Sequence, residues 1–271
     1  WIAGRDLESL YNDGGQQRGG VLLGLLRLVP DAAREHPLVM ALRMRDETTK
    51  RYVIEALGKI GYAQVVPYLL RLTEDQATPG EIKQAVAAAL DALRARGAVI
   101  PAGLTASEAF FQLAEDYYAD KASLAADARL DLANIWYWRD EILQNVEVPT
   151  PLFNEIMCLR CCEETLRLDP NHAGALALWL GANFRREAQL PAGQTDATRS
   201  ANYPPAAYFA QAAGADYCLL ALARAVDRNE PAVALGAIEA LHKTAGPASL
   251  VADSCGRLPL AEALSFPDRM V

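Results

Sequence analysis

The chain has 271 residues, enough for one large core, two ordinary domains or a repeat array that grows lengthwise. Hydrophobic residues make up 52%, much of it Ala and Leu, aromatics only 7%, and runs of Val, Ile and Thr are scarce, which points to helices. A formal net charge of −8 argues against nucleic acid and anionic lipid as partners, because the long-range field repels both.

Near the start, Gly14-Gly15 and Gly19-Gly20 flank Arg18 without the Lys-Ser/Thr ending of a phosphate loop, and read as flexible turns. The most apolar run, Val21 to Val29, is broken by Arg27 and is roughly half the length needed to span a bilayer, so no membrane insertion is expected. Five cysteines without the spacing of a disulfide framework fit a reducing compartment, and the expected location is cytoplasmic.

From Asp46 to Leu72 apolar residues fall at helical spacing, first Val53, Leu57 and Ile60, then Val66, Leu69 and Leu70. Gly61 stands where the first helix must end, and Pro67 lies in the first turn of the second, where a missing N–H costs little. A short-loop helical hairpin is expected. Glu55-Ala56-Leu57 followed by Gly61 recurs 36 positions on as Asp91-Ala92-Leu93 followed by Gly97. Ile54-Glu55-Ala56-Leu57-Gly58-Lys59 also aligns with Ile238-Glu239-Ala240-Leu241-His242-Lys243, which sets Asp46 opposite Glu230.

These residues resemble the HEAT-repeat family. Arg51 and Ala56-Leu57-Gly58-Lys59-Ile60-Gly61 match its first helix, and Val65-Val66-Pro67-Tyr68-Leu69 its second. Leu258-Pro259-Leu260-Ala261-Glu262-Ala263-Leu264 looks like a further second helix. The last copies depart from the pattern, with Leu235 in place of Arg51 and His242 in place of Gly58. In the middle, Leu166-Arg167-Leu168-Asp169-Pro170-Asn171 followed by Ala173 and Leu180-Gly181 resembles the tetratricopeptide repeat, with Asp169-Pro170-Asn171 breaking one helix and offering caps to the next. The expected fold is therefore all-α, an α-solenoid or superhelix of antiparallel helix pairs. HEAT-like repeats are expected at 1–100, tetratricopeptide-like repeats at 101–190, a loop at 191–205 and HEAT-like repeats again at 206–271. Asn145 to Pro151 also reads as non-helical. The 191–205 loop is either a solvated insertion or a cover over the concave face. Ser265 to Val271 reads as a turn and the opening of another first helix, as in a fragment of a longer repeat protein.

No constellation of catalytic or metal-ligating residues stands out, and no cofactor is expected. Cys158, Cys161 and Cys162 would share a helix face, but no second pair completes a tetrahedral site, so they read as core. His36, His172 and His242 lie in unrelated segments and read as surface or cap residues. HEAT-like di-iron hydroxylases use His-Glu dipeptides, of which this chain has none. The acidic set Glu115, Asp116, Asp120, Asp127 and Asp131 lacks the spacing of a calcium loop and reads as a solvated helix face. Aromatics concentrate at Phe110, Phe111, Tyr117, Tyr118, Trp136, Tyr137 and Trp138. Read on helices, neighbours about 100° apart cannot all face one interior. Tyr118, Trp136 and Trp138 are the candidate lining of a peptide groove. The expected role is a non-catalytic scaffold binding a protein or peptide. The alternatives are a structural spacer arm in a larger protein, or an enzyme whose residues lie in the 191–205 loop or the acidic set.

Overall fold

A computed structural model of the chain describes residues 37–140, 142–251 and 257–268. It is mostly helical, with one two-stranded sheet, and no described helix is long and apolar enough to cross a membrane. The Gly14 to Gly20 turns, the Val21 to Val29 run and His36 lie outside the described residues, as do residues 269–271 of the expected terminal turn and helix opening. The chain divides into two compact units, one formed by residues up to Ala109 with Asn134–Val146, the other by Phe110–Ala133 with Glu147 onward. The stretch expected to be tetratricopeptide-like, 101–190, is shared between them.

In the first unit, α1 (Glu47–Ile60) starts at Asp46, whose carboxylate accepts a hydrogen bond from the Thr49 amide at 2.7 Å. This replaces one of the partners that the first turn of a helix lacks. Gly61 ends α1 with φ 92°, its N–H donating to Leu57 O at 3.1 Å. A short 3₁₀ turn (Ala63–Val65) leads into α2 (Val66–Glu74), with Pro67 in its first turn, and α3 (Gly80–Ala95) follows. The expected hairpin differs in its packing: α1 and α2 both lie on α3, most extensively α1, and touch each other little. Gly58 explains the close approach, since a Cβ there would stand 2.9 Å from the Ala89 Cα of α3. Gly97, the sequence counterpart of Gly61, likewise has positive φ, 96°.

These two glycines give a first test. At Gly97 an added Cβ meets nothing within 4 Å, so Gly97→Ala costs only the left-handed backbone penalty, about 1–2 kcal/mol. At Gly61 the Cβ would lie 2.6 Å from Arg96 Cδ. The Arg96 guanidinium donates to Ile60 O at 3.1 Å, and displacing it exposes a helix-end carbonyl. Gly61→Ala should therefore cost about 1 kcal/mol more than Gly97→Ala in urea unfolding; equal costs would show that the Arg96 contact contributes nothing.

The helix α4 (Ala106–Tyr118) is followed by a strand pair, β1 (Leu132–Arg139) and β2 (Ile142–Pro149). This corrects the all-helical reading of that stretch. Ile135, Trp136, Tyr137, Trp138, Val146 and Val148 favour a pleated surface, and Asp140 turns the chain with φ 53°. The expectation that Asn145 to Pro151 is non-helical holds up to the 3₁₀ turn Thr150–Leu152.

In the second unit α5 (Phe153–Leu168) packs on α6 (Ala173–Gln189). Then come α7 (Ala206–Ala213), α8 (Ala215–Arg228), α9 (Pro231–Thr244) and α10 (Pro259–Ala263). Asp169-Pro170-Asn171 breaks the chain between α5 and α6 as expected, but the cap of α6 comes from His172, whose Nδ1 accepts from the Ala175 amide at 3.0 Å. Helix α9 packs on α6, α7 and α8, and α10 on α8. The core between them is Ala-rich, with Ala210, Ala221, Ala225, Ala234 and Ala237 around Leu180 and Leu222. Small side chains let these helices approach closely; Gly236 lies directly against the Phe184 ring.

Candidate functional site

Tyr118, the last residue of α4, is enclosed at 3% exposure. Its hydroxyl donates to the Glu230 carboxylate in a short hydrogen bond. The guanidiniums of Arg185 and Arg228 lie 4.7 and 5.0 Å from its ring centre. Burial and the Glu230 charge push the phenol well above its ordinary range, so it stays a donor. Glu230 precedes α9 as Asp46 precedes α1, yet its side chain makes no cap bond and serves Tyr118 and Arg185 instead.

Around Tyr118 lies a polar knot, enclosed at Glu155 and Arg185 and open at Asp120. Arg185 of α6 pairs with Glu155 of α5 at 2.8 Å, with Asp120 at short range and with Glu230 at 3.6 Å, and its Nη1 donates to Tyr118 O at 2.6 Å. Asn154 donates to Asp120 at 2.8 Å. With its amide nitrogen turned toward Glu155, Gln189 donates to that carboxylate at 3.0 Å. Glu115 accepts from Arg224 at 2.6 Å and from Arg228 at 2.8 Å. Three carboxylates thus share the single Arg185. Glu155 is the most enclosed, at 1% exposure, and burial pushes its carboxyl up to about 7 despite the attraction of Arg185.

That shift carries a pH dependence. In the unfolded chain Glu155 titrates near the usual value of about 4.3, so between there and about 7 the folded state holds a proton that the unfolded state has lost. Folding takes up a proton in this window, and the contribution of Glu155 to stability falls as pH rises through it. Glu155→Gln should flatten the slope of stability against pH between about 5 and 7, read from urea midpoints at several pH values; an unchanged slope would assign the proton elsewhere. A carboxyl near 7 suits general acid–base work; this one is enclosed among protein groups at 1% exposure.

The other sequence candidates lie elsewhere. Trp136 and Trp138 sit on β1, not on a helix, and are half-buried. Strand alternation sets these two on one face and Tyr137 on the other, where its ring lies 4.2 Å from the Arg139 guanidinium carbon. The Trp138 indole nitrogen is buried with no hydrogen-bond partner. Trp136 and Trp138 belong to the first unit and Tyr118 to the second. Cys158, Cys161 and Cys162 are buried on α5, and burial, then Cys162, raises the Cys158 thiol. Among the described residues no group of three or more His, Cys, Asp or Glu is placed to hold a metal ion.

The acidic set is not one solvated face. Glu115 and Asp120 enter the knot, Asp116 pairs with Lys121 at 2.8 Å, Asp127 with Arg129 at 2.5 Å, and the Asp131 carbonyl accepts from Thr150 N at 2.9 Å.

The 191–205 loop is tied down. Asp196 pairs at short range with Arg186, and both side chains are buried. Thr198 donates to Asp196 from its amide at 3.0 Å and its hydroxyl at 2.7 Å, Arg199 donates to Asn183, and the Ala206 amide donates to Glu187 at 2.8 Å. Burial pulls the Asp196 carboxyl up, but the Thr198 bonds and the Arg186 charge outweigh it and hold the carboxyl below its usual range.

Sequence reasoning missed Glu155, Arg185 and Arg186. The available signal was charge in apolar company: Glu155 inside Leu152-Phe153-Asn154-Glu155-Ile156-Met157, and the Arg pair following Phe184. No family model, curated protein or solved structure matches the chain.

Proposed function

We propose that this chain is a non-catalytic protein-interaction scaffold in which a helical framework presents a surface, centred on the β1–β2 strand pair, to a protein or peptide. The observation that supports it best is the strand face carrying Trp136 and Trp138, both only partly buried, with the Trp138 indole N–H lacking an acceptor. Paired indoles are efficient anchors, and a buried unpaired donor costs about 1–3 kcal/mol, which a ring rotation onto a partner's carbonyl would recover. The net charge of −8 favours a partner of basic character.

The test is affinity purification with the full chain beside Trp136→Ala/Trp138→Ala, checked by circular dichroism for retained helix content. Tyr118 is left intact, because its loss would open the polar knot and confuse unfolding with lost binding. A specific partner lost in the variant supports the reading. A partner kept by both moves the surface off the strand pair, and no partner for the folded wild-type chain removes the scaffold reading.

A further inference from the structure

Where the 191–205 segment meets α6, two arginines are taken largely out of water. Arg186, from α6, is 6% exposed, and the side chain of Arg199, from the segment, 13%. They are close enough to repel: burial, then the Arg199 charge, holds the Arg186 guanidinium below its ordinary range. Asp196 is the enclosed carboxylate between α6 and the segment; it pairs with Arg186 and also accepts from the amide and hydroxyl of Thr198. Arg199 donates to the neutral Asn183, and its guanidinium carbon lies 4.5 Å from the Tyr203 ring centre. The Glu187 carboxylate stands off from Arg199 at 3.6 Å, is 40% exposed, and uses the same Oε1 to accept from the Ala206 amide at 2.8 Å.

The donors show the same shortfall. Nη2 of Arg186 is engaged by Asp196 and Thr198, and Nη2 of Arg199 by Asn183. Nε of each arginine is sealed from solvent and has no acceptor among the described residues. Buried N–H groups are nearly always paired, so these two call for an acceptor. A water would satisfy the donors and leave the like charges facing each other. An anion answers both needs, and the planar fork of a guanidinium matches the oxygens of phosphate and carboxylate groups. The net charge of −8 opposes an anion at long range, but salt screens distant charges while two enclosed cations act at contact.

We propose that Arg186 and Arg199 together hold a small oxyanion of the phosphate class, which accepts from the two Nε–H groups. Because one arginine belongs to α6 and the other to the 191–205 segment, the ion clamps the segment to the helix. The site goes beyond the scaffold reading and shares no residue with the tryptophan pair.

Inorganic phosphate is titrated into the full chain at constant ionic strength, replacing chloride, and followed by calorimetry and by melting temperature. Saturable binding and a melting temperature raised by several degrees are expected with phosphate and not with chloride. At a concentration about ten times the dissociation constant, trypsin cleavage after Arg199 should slow about ten-fold, since the bound ion suppresses opening of the segment by that factor. Arg199→Gln and Arg186→Met/Asp196→Leu, each shown folded by circular dichroism, should lose both effects. The double variant strands no charge, so it reports on the site even where Arg199→Gln does not fold. Phenyl phosphate, run in parallel, separates the sources: binding of inorganic phosphate alone assigns a free ion, and binding of both assigns a phosphomonoester whose ester oxygen faces solvent. The proposal is overturned if phosphate stabilises no more than chloride, if a folded variant binds it as tightly as wild type, or if trypsin cleaves after Arg199 equally fast with the ion bound. None of these outcomes touches the tryptophan-dependent purification, which stands or falls separately.

Discussion

Arg185→Met lowers the stability of the second unit by about 3–5 kcal/mol, the cost of leaving a buried charge without its partner. The guanidinium answers Glu155 at 2.8 Å, Asp120 at short range and Glu230 at 3.6 Å; its removal leaves the enclosed Glu155 with only the Gln189 amide, while Asp120 is open to solvent and Glu230 keeps the Tyr118 hydroxyl. It also withdraws the hydrogen bond to Tyr118 O and the cation over the Tyr118 ring, loosening the end of α4. In a unit of this size the melting temperature should drop by about 10 °C. The penalty should shrink at low pH, where Glu155 takes up its proton more readily, and Arg185→Met/Glu155→Gln should recover part of it at neutral pH. A loss below about 1 kcal/mol would mean that solvent reaches the knot and screens it.

Asp196→Ala is the second large effect, again about 3–5 kcal/mol, with a local readout as well. It leaves Arg186 buried with Arg199 nearby, and the Nε atoms of both already lack partners. The 196–203 segment should then detach from α6, so limited trypsin digestion at Arg199 should accelerate while the rest of the unit stays resistant. Replacing both partners by apolar residues, Arg186→Met/Asp196→Leu, should be far milder than Asp196→Ala, since no charge is left unanswered. If the double variant were as unstable as the single one, packing of the loop rather than the ion pair would be responsible. Because the Asp196 carboxyl titrates below its usual range when folded, its contribution is present above the unfolded pKa and is lost as pH falls through the folded one. Acid alone should therefore loosen the loop.

Both knots pair a buried arginine of α6 with a carboxylate from another segment, which no local pattern in the sequence connects. The sequence points to the Tyr118 ring, yet its hydroxyl and its place between Arg185 and Arg228 define its role in the fold. The sequence expectation sets Trp136 and Trp138 on a helix, whereas they lie on β1. A strand pairs the two indoles on one side, where a helix would have splayed them about 200° apart.

The sequence by itself determined the local punctuation of the fold. Asp46 caps α1, Gly61 and Gly97 take the positive φ that ends a helix, Pro67 opens α2, and Asp169-Pro170-Asn171 separates α5 from α6. Each depends on a hydrogen bond or a torsion within a few residues, so the chemistry is complete in the local sequence. The recurrence that equates α1 with α9 was legible for the same reason, since it lies in the apolar spacing and helix length. Only the tertiary structure decided what those helices face. Tyr118 and Glu230 are 112 residues apart, and Arg185 and Asp120 are 65 apart, and no local propensity connects them. Ile54 and Ile238 are the same residue at equivalent positions, one sealed and one partly open, because burial belongs to the neighbour that covers a face and not to the residue that forms it.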